Sequence, residues 1–339
     1  MKKNNALLCL LILFFVLAGL FARPGDVLAD HAALVKGKKV LIVASYHREY
    51  KWTGDIVQAL EKDLAGADLT VFYMDSKGNL EGAAEKAGEA FALYQKLSPD
   101  AVITIDDNAQ AYFVVPYLKN KVATPVIFCG VNNDAGKYGF PAANVTGVLE
   151  KKHYRESISF AQTVDPKIKE IAVLYRPSPS NQINLAQIEN EKERYSAEIT
   201  AAVAVNSVED VRKAMADLSA TVDAYMLLNM TGIVDEHNQQ LEAHDAIALI
   251  ADATDLVTIG ASDWEVEAGA LCGVIKSGEE QAVLAASQLI AHWEGKSIKD
   301  IPVTWNRNGQ RYINLKTLKK LQLALRPEMI IGTTIISGN

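Results

Sequence analysis

From Lys36 onward, short runs of β-branched and other apolar residues alternate with stretches in which apolar positions recur at helical spacing. The runs Val40–Ala44, Leu69–Met74, Ala101–Ile105 and Pro125–Cys129 read as strands. Between them Trp52–Ala65, Leu80–Leu97 and Ala109–Leu118 read as helices, the last closing near Pro116. A second set begins about 130 residues after the first, with strands at Glu170–Tyr175, Ile199–Val205, Asp223–Leu228 and Leu256–Gly260. Its helices are expected at Asn181–Ser196, Val208–Leu218 and Asp235–Ala251. Each parallel crossover needs a helix-length connection, so this rhythm predicts an α/β protein of two doubly wound, parallel-sheet lobes.

The Gly/Asn/Pro-rich stretch Asn132–Gly147 is the first expected crossing between lobes, and Gly269–Gly273 the second. The amphipathic segment Glu279–Trp293 is then expected to return to the first lobe. The division that follows is residues 36–147 plus 272–296 for lobe 1, and 148–271 plus 297–335 for lobe 2 with the C-terminal segment.

Composition narrows the class. At 339 residues and 49% hydrophobic, the chain has material for two cores and is not intrinsically disordered. Its 34 Lys+Arg against 41 Asp+Glu give −7, without a basic stripe, which argues against nucleic acid as a partner. One run approaches membrane-spanning length, and it stands at the start: Lys2 and Lys3, then the unbroken apolar stretch Ala6–Phe21. With Val27-Leu28-Ala29 behind it, residues 1–29 read as a signal peptide cleaved after Ala29, the alternative being an uncleaved anchor. Cys9 lies inside the apolar run, so a lipoprotein cleavage site is absent. Loss of this segment removes three cations and Asp26, leaving 31 against 40, or −9. A periplasmic location is expected.

Cys129 and Cys272 remain, each in an apolar strand-like segment. Two buried small hydrophobes and a disulfide are both compatible with an oxidising compartment. No G-x-G-x-x-G, P-loop, H-E-x-x-H, EF-hand loop or G-x-S-x-G occurs, so no cofactor or metal is expected from motifs. His237 and His244 fall seven apart on an expected helix, about 10 Å along its axis, too far to share one ion. Asn144-Val145-Thr146 fits a glycosylation sequon with nothing else to support that route.

Polar and aromatic residues recur at the carboxyl ends of the strands, where ligands bind in open α/β sheets. The first half offers Ser45, Tyr46, His47 and Trp52, then Asp75 and Ser76, then Asp106, Asp107 and Asn108, then Asn132. The second offers Arg176, Asn181, Asn229, Asp263 and Trp264. Tyr46, Trp52 and Trp264 would supply stacking, and Asp107 or Asp263 would hold a ligand ammonium. Ser45 or Arg176 would receive a carboxylate, and Asn132, Asn181 and Asn229 would serve either kind of group. The competing reading makes the aspartates caps of the helices that follow and the tryptophans ordinary packing. No nucleophile–base pair stands out, so no enzyme is expected.

The passage Pro125-Val126-Ile127-Phe128-Cys129-Gly130-Val131 followed by Asn144-Val145-Thr146-Gly147-Val148 resembles the bacterial ABC-transporter substrate-binding proteins. Val173-Leu174-Tyr175-Arg176-Pro177, Gly269-Ala270-Leu271 and the stretch from Ile313 to Met329 extend the likeness over about residues 38–330. The resemblance implies a type I periplasmic-binding-protein fold with crossing strands and a small solute clamped by hinge closure. It further implies delivery to an ABC permease, and an amino acid or other small polar or aromatic solute. Two departures fall on the expected ligand face. Asp106-Asp107-Asn108 stands where the family often has Thr-Pro, and Ser45-Tyr46-His47 with Trp52 looks more like extracytoplasmic sensors of the same fold. The alternative function is therefore a ligand sensor docking on a membrane histidine kinase or chemoreceptor.

Overall fold

A computed structural model describes residues 33–337. The expected signal segment 1–29 lies outside the described residues. Among those described, no helix is long and apolar enough to cross a membrane.

The first half runs β1 (Lys39–Ala44), α1 (Lys51–Asp63), β2 (Asp68–Tyr73), α2 (Ala83–Leu97), β3 (Ala101–Ile105) and α3 (Asp106–Ala109). The last continues as a wide π-type helix over Gln110–Leu118, in which Pro116 supplies no amide to the ladder. β4 (Val126–Val131) and β5 (Val145–Leu149) follow. The second half runs α4 (Tyr154–Val164), β6 (Glu170–Tyr175), α5 (Pro179–Glu191), β7 (Glu198–Ala204), α6 (Val208–Leu218) and β8 (Ala224–Leu227). Then come α7 (Ala243–Asp252), β9 (Val257–Ile259), α8 (Asp263–Ala268), β10 (Cys272–Lys276) and α9 (Gly278–Trp293). The chain closes with β11 (Thr304–Trp305), β12 (Gly309–Asn314), α10 (Leu315–Lys320), α11 (Pro327–Ile330) and β13 (Thr333–Ile336).

The strands form a six-stranded sheet, ordered β11-β5-β4-β3-β1-β2, and a seven-stranded sheet, ordered β13-β12-β10-β9-β8-β6-β7. Ile42 stands opposite Val71 on one side and Ile103 on the other, both in parallel register. Such strands are covered on both faces, which is why β1, β3 and β4 read as unbroken apolar runs rather than alternating ones. In β6 the alternation sorts two cores: Ile171 and Val173 join one cluster, Ala172 and Leu174 the other. Most of the pairing among the described residues is parallel, and β10 with β12 is antiparallel.

Two compact units emerge. One holds the described residues up to Cys129, Tyr138–Gly147 and Ala282–Val303; the other holds Gly130–Lys137, Val148–Gln281 and the described residues from Thr304. The boundary expected at Cys272 lies instead at Ala282, inside α9. β10 is hydrogen-bonded between β9 and β12, which keeps residues 272–276 with the second sheet. Residues 297–303, expected in the second lobe, cluster with the first unit.

The Asn-Val-Thr-Gly-Val motif is explained by its contacts. Buried Asn144 donates to the carbonyls of Leu118 and Thr124 and accepts from Asn120 N at 2.8 Å, so its amide is spent and is no glycosylation acceptor. Thr146 Oγ1 donates to the Ile301 carbonyl at 2.8 Å. A Cβ on Gly147 would stand 2.2 Å from the Phe128 carbonyl oxygen, so β5 approaches β4 more closely than a side chain permits.

The helix expected over Asp235–Ala251 begins only at Ala243. Asp235 accepts from the amides of His237 and Gln239, both at 2.8 Å, and this local loop outcompetes the helix. His237 therefore lies off the helix that carries His244. Cys129 and Cys272 are both free and buried, and burial pushes both thiols up, Cys272 to about 12.

Candidate functional site

In the first unit the ends of β1, β2 and β3 are stitched together by small polar side chains. Ser45 is fully buried; its hydroxyl donates to the Ile105 carbonyl at 2.7 Å and accepts from Ala109 N at 2.8 Å. Ser76 Oγ donates to the Ser45 carbonyl at 2.7 Å and accepts from Asn108 Nδ2 at 2.9 Å. Ser45 is thus a structural clasp rather than a carboxylate receptor, since both its hydrogen-bonding directions are taken. Asn108 stands half-buried beside it.

Asp106 turns the chain out of β3 with φ at +65°, a left-handed conformation that aspartate tolerates better than most residues. Its Oδ1 accepts from Trp52 Nε1 at 3.0 Å, which fixes the indole at the start of α1. Asp107, half-buried, accepts from the Tyr138 hydroxyl at 2.7 Å. Ile105 occupies the N-cap position of α3, so neither aspartate caps that helix. Tyr46 meets Tyr50 edge to face at 5.4 Å, and the Lys77 ammonium lies 3.3 Å from the Tyr50 ring centroid and 5.6 Å from that of Tyr46. His47 pairs with Asp75 at 3.2 Å on the exposed rim.

In the second unit the expected amides are largely committed. Asn181 is fully buried; its Nδ2 donates to the carbonyls of Arg176 and Asn229 at 2.7 and 2.8 Å, and its Oδ1 accepts from Asn184. It braces two strand ends instead of facing a solute. Asn229 Oδ1 is engaged by the amide and hydroxyl of Thr231. Arg176 spends Nε on the Gly232 carbonyl and Nη1 on its neighbour Pro177. Asn132 is exposed, with Nδ2 3.5 Å from the Gly130 carbonyl.

Asp263 follows the N-cap Ser262 and accepts from Trp264 N at 3.0 Å. Trp264 is half-buried and packs against the cluster that includes Ala172, Leu174 and Tyr225. This turn rests on two charged residues that the sequence did not single out. Lys152 Nζ donates to the Ala261 carbonyl and to Ser262 Oγ, both at 3.0 Å. Glu265 is buried and accepts from Ala261 N at 2.6 Å. Burial pushes the Glu265 carboxyl up to about 7 against the pull of the Lys152 ammonium, and burial, reinforced by Lys276, brings Lys152 down to about 8. Nearby, Glu150 and Lys276 form a buried ion pair.

The strand ends therefore present aromatic rings, carboxylates and an ammonium on the first unit, and an aspartate–indole turn on the second. Among the described residues no cluster of three or more His, Cys, Asp or Glu is placed to hold a metal. Lys77, Tyr50, Tyr138, Lys152 and Glu265 were not legible as site residues: lone lysines and glutamates in sequence read as solvated.

The chain is 23% identical over 305 residues to the "Tyrosine-binding protein" of Clostridioides difficile, covering 87% of this chain and 79% of the relative. A solved domain from Streptococcus pneumonia in complex with L-Trp is 18% identical, with TM-score 0.59 over 88% of this chain and 99% of that one. A ligand-free, open substrate-binding protein with adhesive properties from Clostridium difficile is 15% identical, with TM-score 0.70 over 89% of this chain and 100% of that one. These share its type I periplasmic-binding-protein fold. The family model described as "ABC transporter substrate binding protein" matches residues 42–334, and substrate-binding proteins of ABC transporters are extracytoplasmic. The chain belongs to this family of small-molecule-binding proteins.

Proposed function

We propose that this chain binds a small aromatic solute of the amino-acid class in the periplasm, with contacts drawn from the strand ends of the first unit, and delivers it to an ABC importer without chemical turnover. The observation that carries the reading is the aromatic and charged set at one strand-end face: Tyr46, Tyr50 and Trp52 beside Asp106, Asp107 and Lys77. Rings bury much area with few torsions to freeze, and the charges match the two ends of a zwitterion. The curated relative named for tyrosine and the neighbour holding L-Trp support an aromatic amino acid.

The test is calorimetric titration of the chain from Asp30 onward with L-tyrosine, L-tryptophan, L-phenylalanine and a panel of sugars, purines and aliphatic amino acids. An aromatic amino acid should bind, and at 100 times its Kd should stabilise the fold by about 2.7 kcal/mol. Binding restricted to sugars or purines would overturn the solute class. Transport stage is tested separately, by uptake in cells with and without the exported protein; solute binding with uptake unchanged would favour the sensor role.

A further inference from the structure

One cation on the first unit's strand-end face is held by rings rather than by carboxylates. Asp75 takes a left-handed backbone (φ +48°) directly after β2, and Ser76 is pinned to Ser45 and Asn108, so the exposed Lys77 that follows reaches the rings of Tyr46 and Tyr50. The Lys77 ammonium sits 3.3 Å from the Tyr50 centroid. Among the described residues no carboxylate lies within ion-pair distance of it. Asp106 acts on it only at longer range, favouring its charged form, while partial burial acts the other way. On the rim His47 Nδ1 lies 3.2 Å from Asp75, while Asp106 accepts from Trp52 and Asp107 from Tyr138.

A ring contact stabilises an ammonium without consuming its donors in strong hydrogen bonds, because a π face has no carboxylate lone pair. Of the two groups that the sequence nominated to receive a carboxylate, Ser45 is spent on backbone partners, and Arg176, in the second unit, commits Nε and one Nη1 hydrogen to the Gly232 and Pro177 carbonyls. We propose that Lys77 is the anion-recognition residue of this protein, its ammonium receiving the carboxylate of the bound solute while Tyr46 and Tyr50 hold the lysine arm in place. This deepens the solute-binding reading above and rests on it. It also excludes neutral solutes as the preferred class.

The test compares each carboxylate with its own amide, on the wild-type chain and on Lys77→Met and Lys77→Arg, with circular dichroism and melting curves to establish that each variant is folded. Wild type should bind L-tyrosine at least about tenfold more tightly than L-tyrosinamide, the discrimination of a charge-assisted bond. In Lys77→Met the gap should close to within about threefold through loss on the L-tyrosine side, and Lys77→Arg should retain most of it. A gap unchanged in Lys77→Met overturns the assignment. So does tighter binding of tyramine by Lys77→Met with L-tyrosine unaffected, which would make the tyrosine pair an ammonium cage plugged by the protein's own lysine. Should L-tyrosine itself not bind, L-tryptophan, 4-hydroxyphenylacetate and succinate are run against their amides. Binding of neutral solutes and of no carboxylate overturns Lys77 while leaving solute binding in place; binding of no small solute overturns both.

Discussion

The indole N–H of Trp52 donates to the carboxylate of Asp106 at 3.0 Å, joining the start of α1 to the residue that turns the chain out of β3. Asp106 does this from a left-handed backbone and is almost wholly buried. Two demands therefore fall on one position: a side chain that accepts a hydrogen bond, and a residue that tolerates positive φ.

Asn at this position meets both demands and Ala meets neither. Asp106→Ala should lose about 2–4 kcal/mol of stability from the lost acceptor and the strained backbone together. Asp106→Asn should lose less than half as much. Urea denaturation followed by tryptophan fluorescence measures both, and equal losses for the two variants would refute this account.

Stability should depend on pH through Glu265. The native state raises its carboxyl from 4.5 to about 7, so between those values the folded protein holds a proton that the unfolded chain has released. Stability contributed by this group therefore falls as pH rises through that window and levels off above it, at about 1.4 kcal/mol per pH unit at most. Glu265→Gln keeps an oxygen for the Ala261 amide and should flatten the profile across the same window. The measurement is urea denaturation at closely spaced pH values; an unchanged slope in the variant would contradict it.

The sheets were legible because parallel strands covered on both faces become continuous apolar runs, as in Val126–Val131. The loop over 235–242 was not, because its helical spacing competes with an Asp235 side chain that captures two nearby amides. The candidate site was legible only as positions. Tyr46 follows β1, Trp52 lies in the first turn of α1 and Asp107 follows β3, but strand-end reasoning does not distinguish a solute-facing serine from the buried clasp Ser45. Lys77 sits in an exposed Ser-Lys-Gly-Asn turn, as it reads in sequence, and only the fold brings the Tyr50 ring against its ammonium.

Removing Lys276 leaves the nearly buried carboxylate of Glu150 without its ion-pair partner. Lys276→Met should cost about 3–5 kcal/mol at neutral pH. Adding Glu150→Leu should recover most of it, because the penalty belongs to the stranded charge. A double variant as unstable as the single would show that packing, not charge, sets the cost.

Gly147→Ala places a methyl 2.2 Å from a backbone carbonyl oxygen, which has no rotamer to escape into. The expected loss is about 3 kcal/mol or more, beyond the usual range for an overpacked side-chain contact. Exposed Gly78, whose Cβ would meet nothing within 4 Å, serves as the control and should tolerate alanine.

The two indoles should report a bound solute differently. Trp52 is held by Asp106 at the aromatic face, whereas Trp264 leans on a hydrophobic cluster. Trp52→Phe should weaken aromatic-solute binding by roughly tenfold, or about 1.4 kcal/mol, and reduce the fluorescence change on titration. Trp264→Phe should chiefly lower the melting temperature if its packing role dominates; unaltered affinity and signal in both variants would remove the indoles from the site.

The buried clasp formed by Ser45, Ser76 and Asn108 bears on what affinity in this protein can mean. Because it fastens the ends of β1 and β2 to the turn after β3, Tyr46, Lys77 and Asn108 are carried on one stiff platform. On the proposed reading, a solute bound there would meet a backbone already ordered when the chain folded. Differences in affinity among solutes should then reflect contact chemistry on this face rather than the cost of organising it, and substitutions within the clasp should weaken every solute alike, leaving selectivity intact.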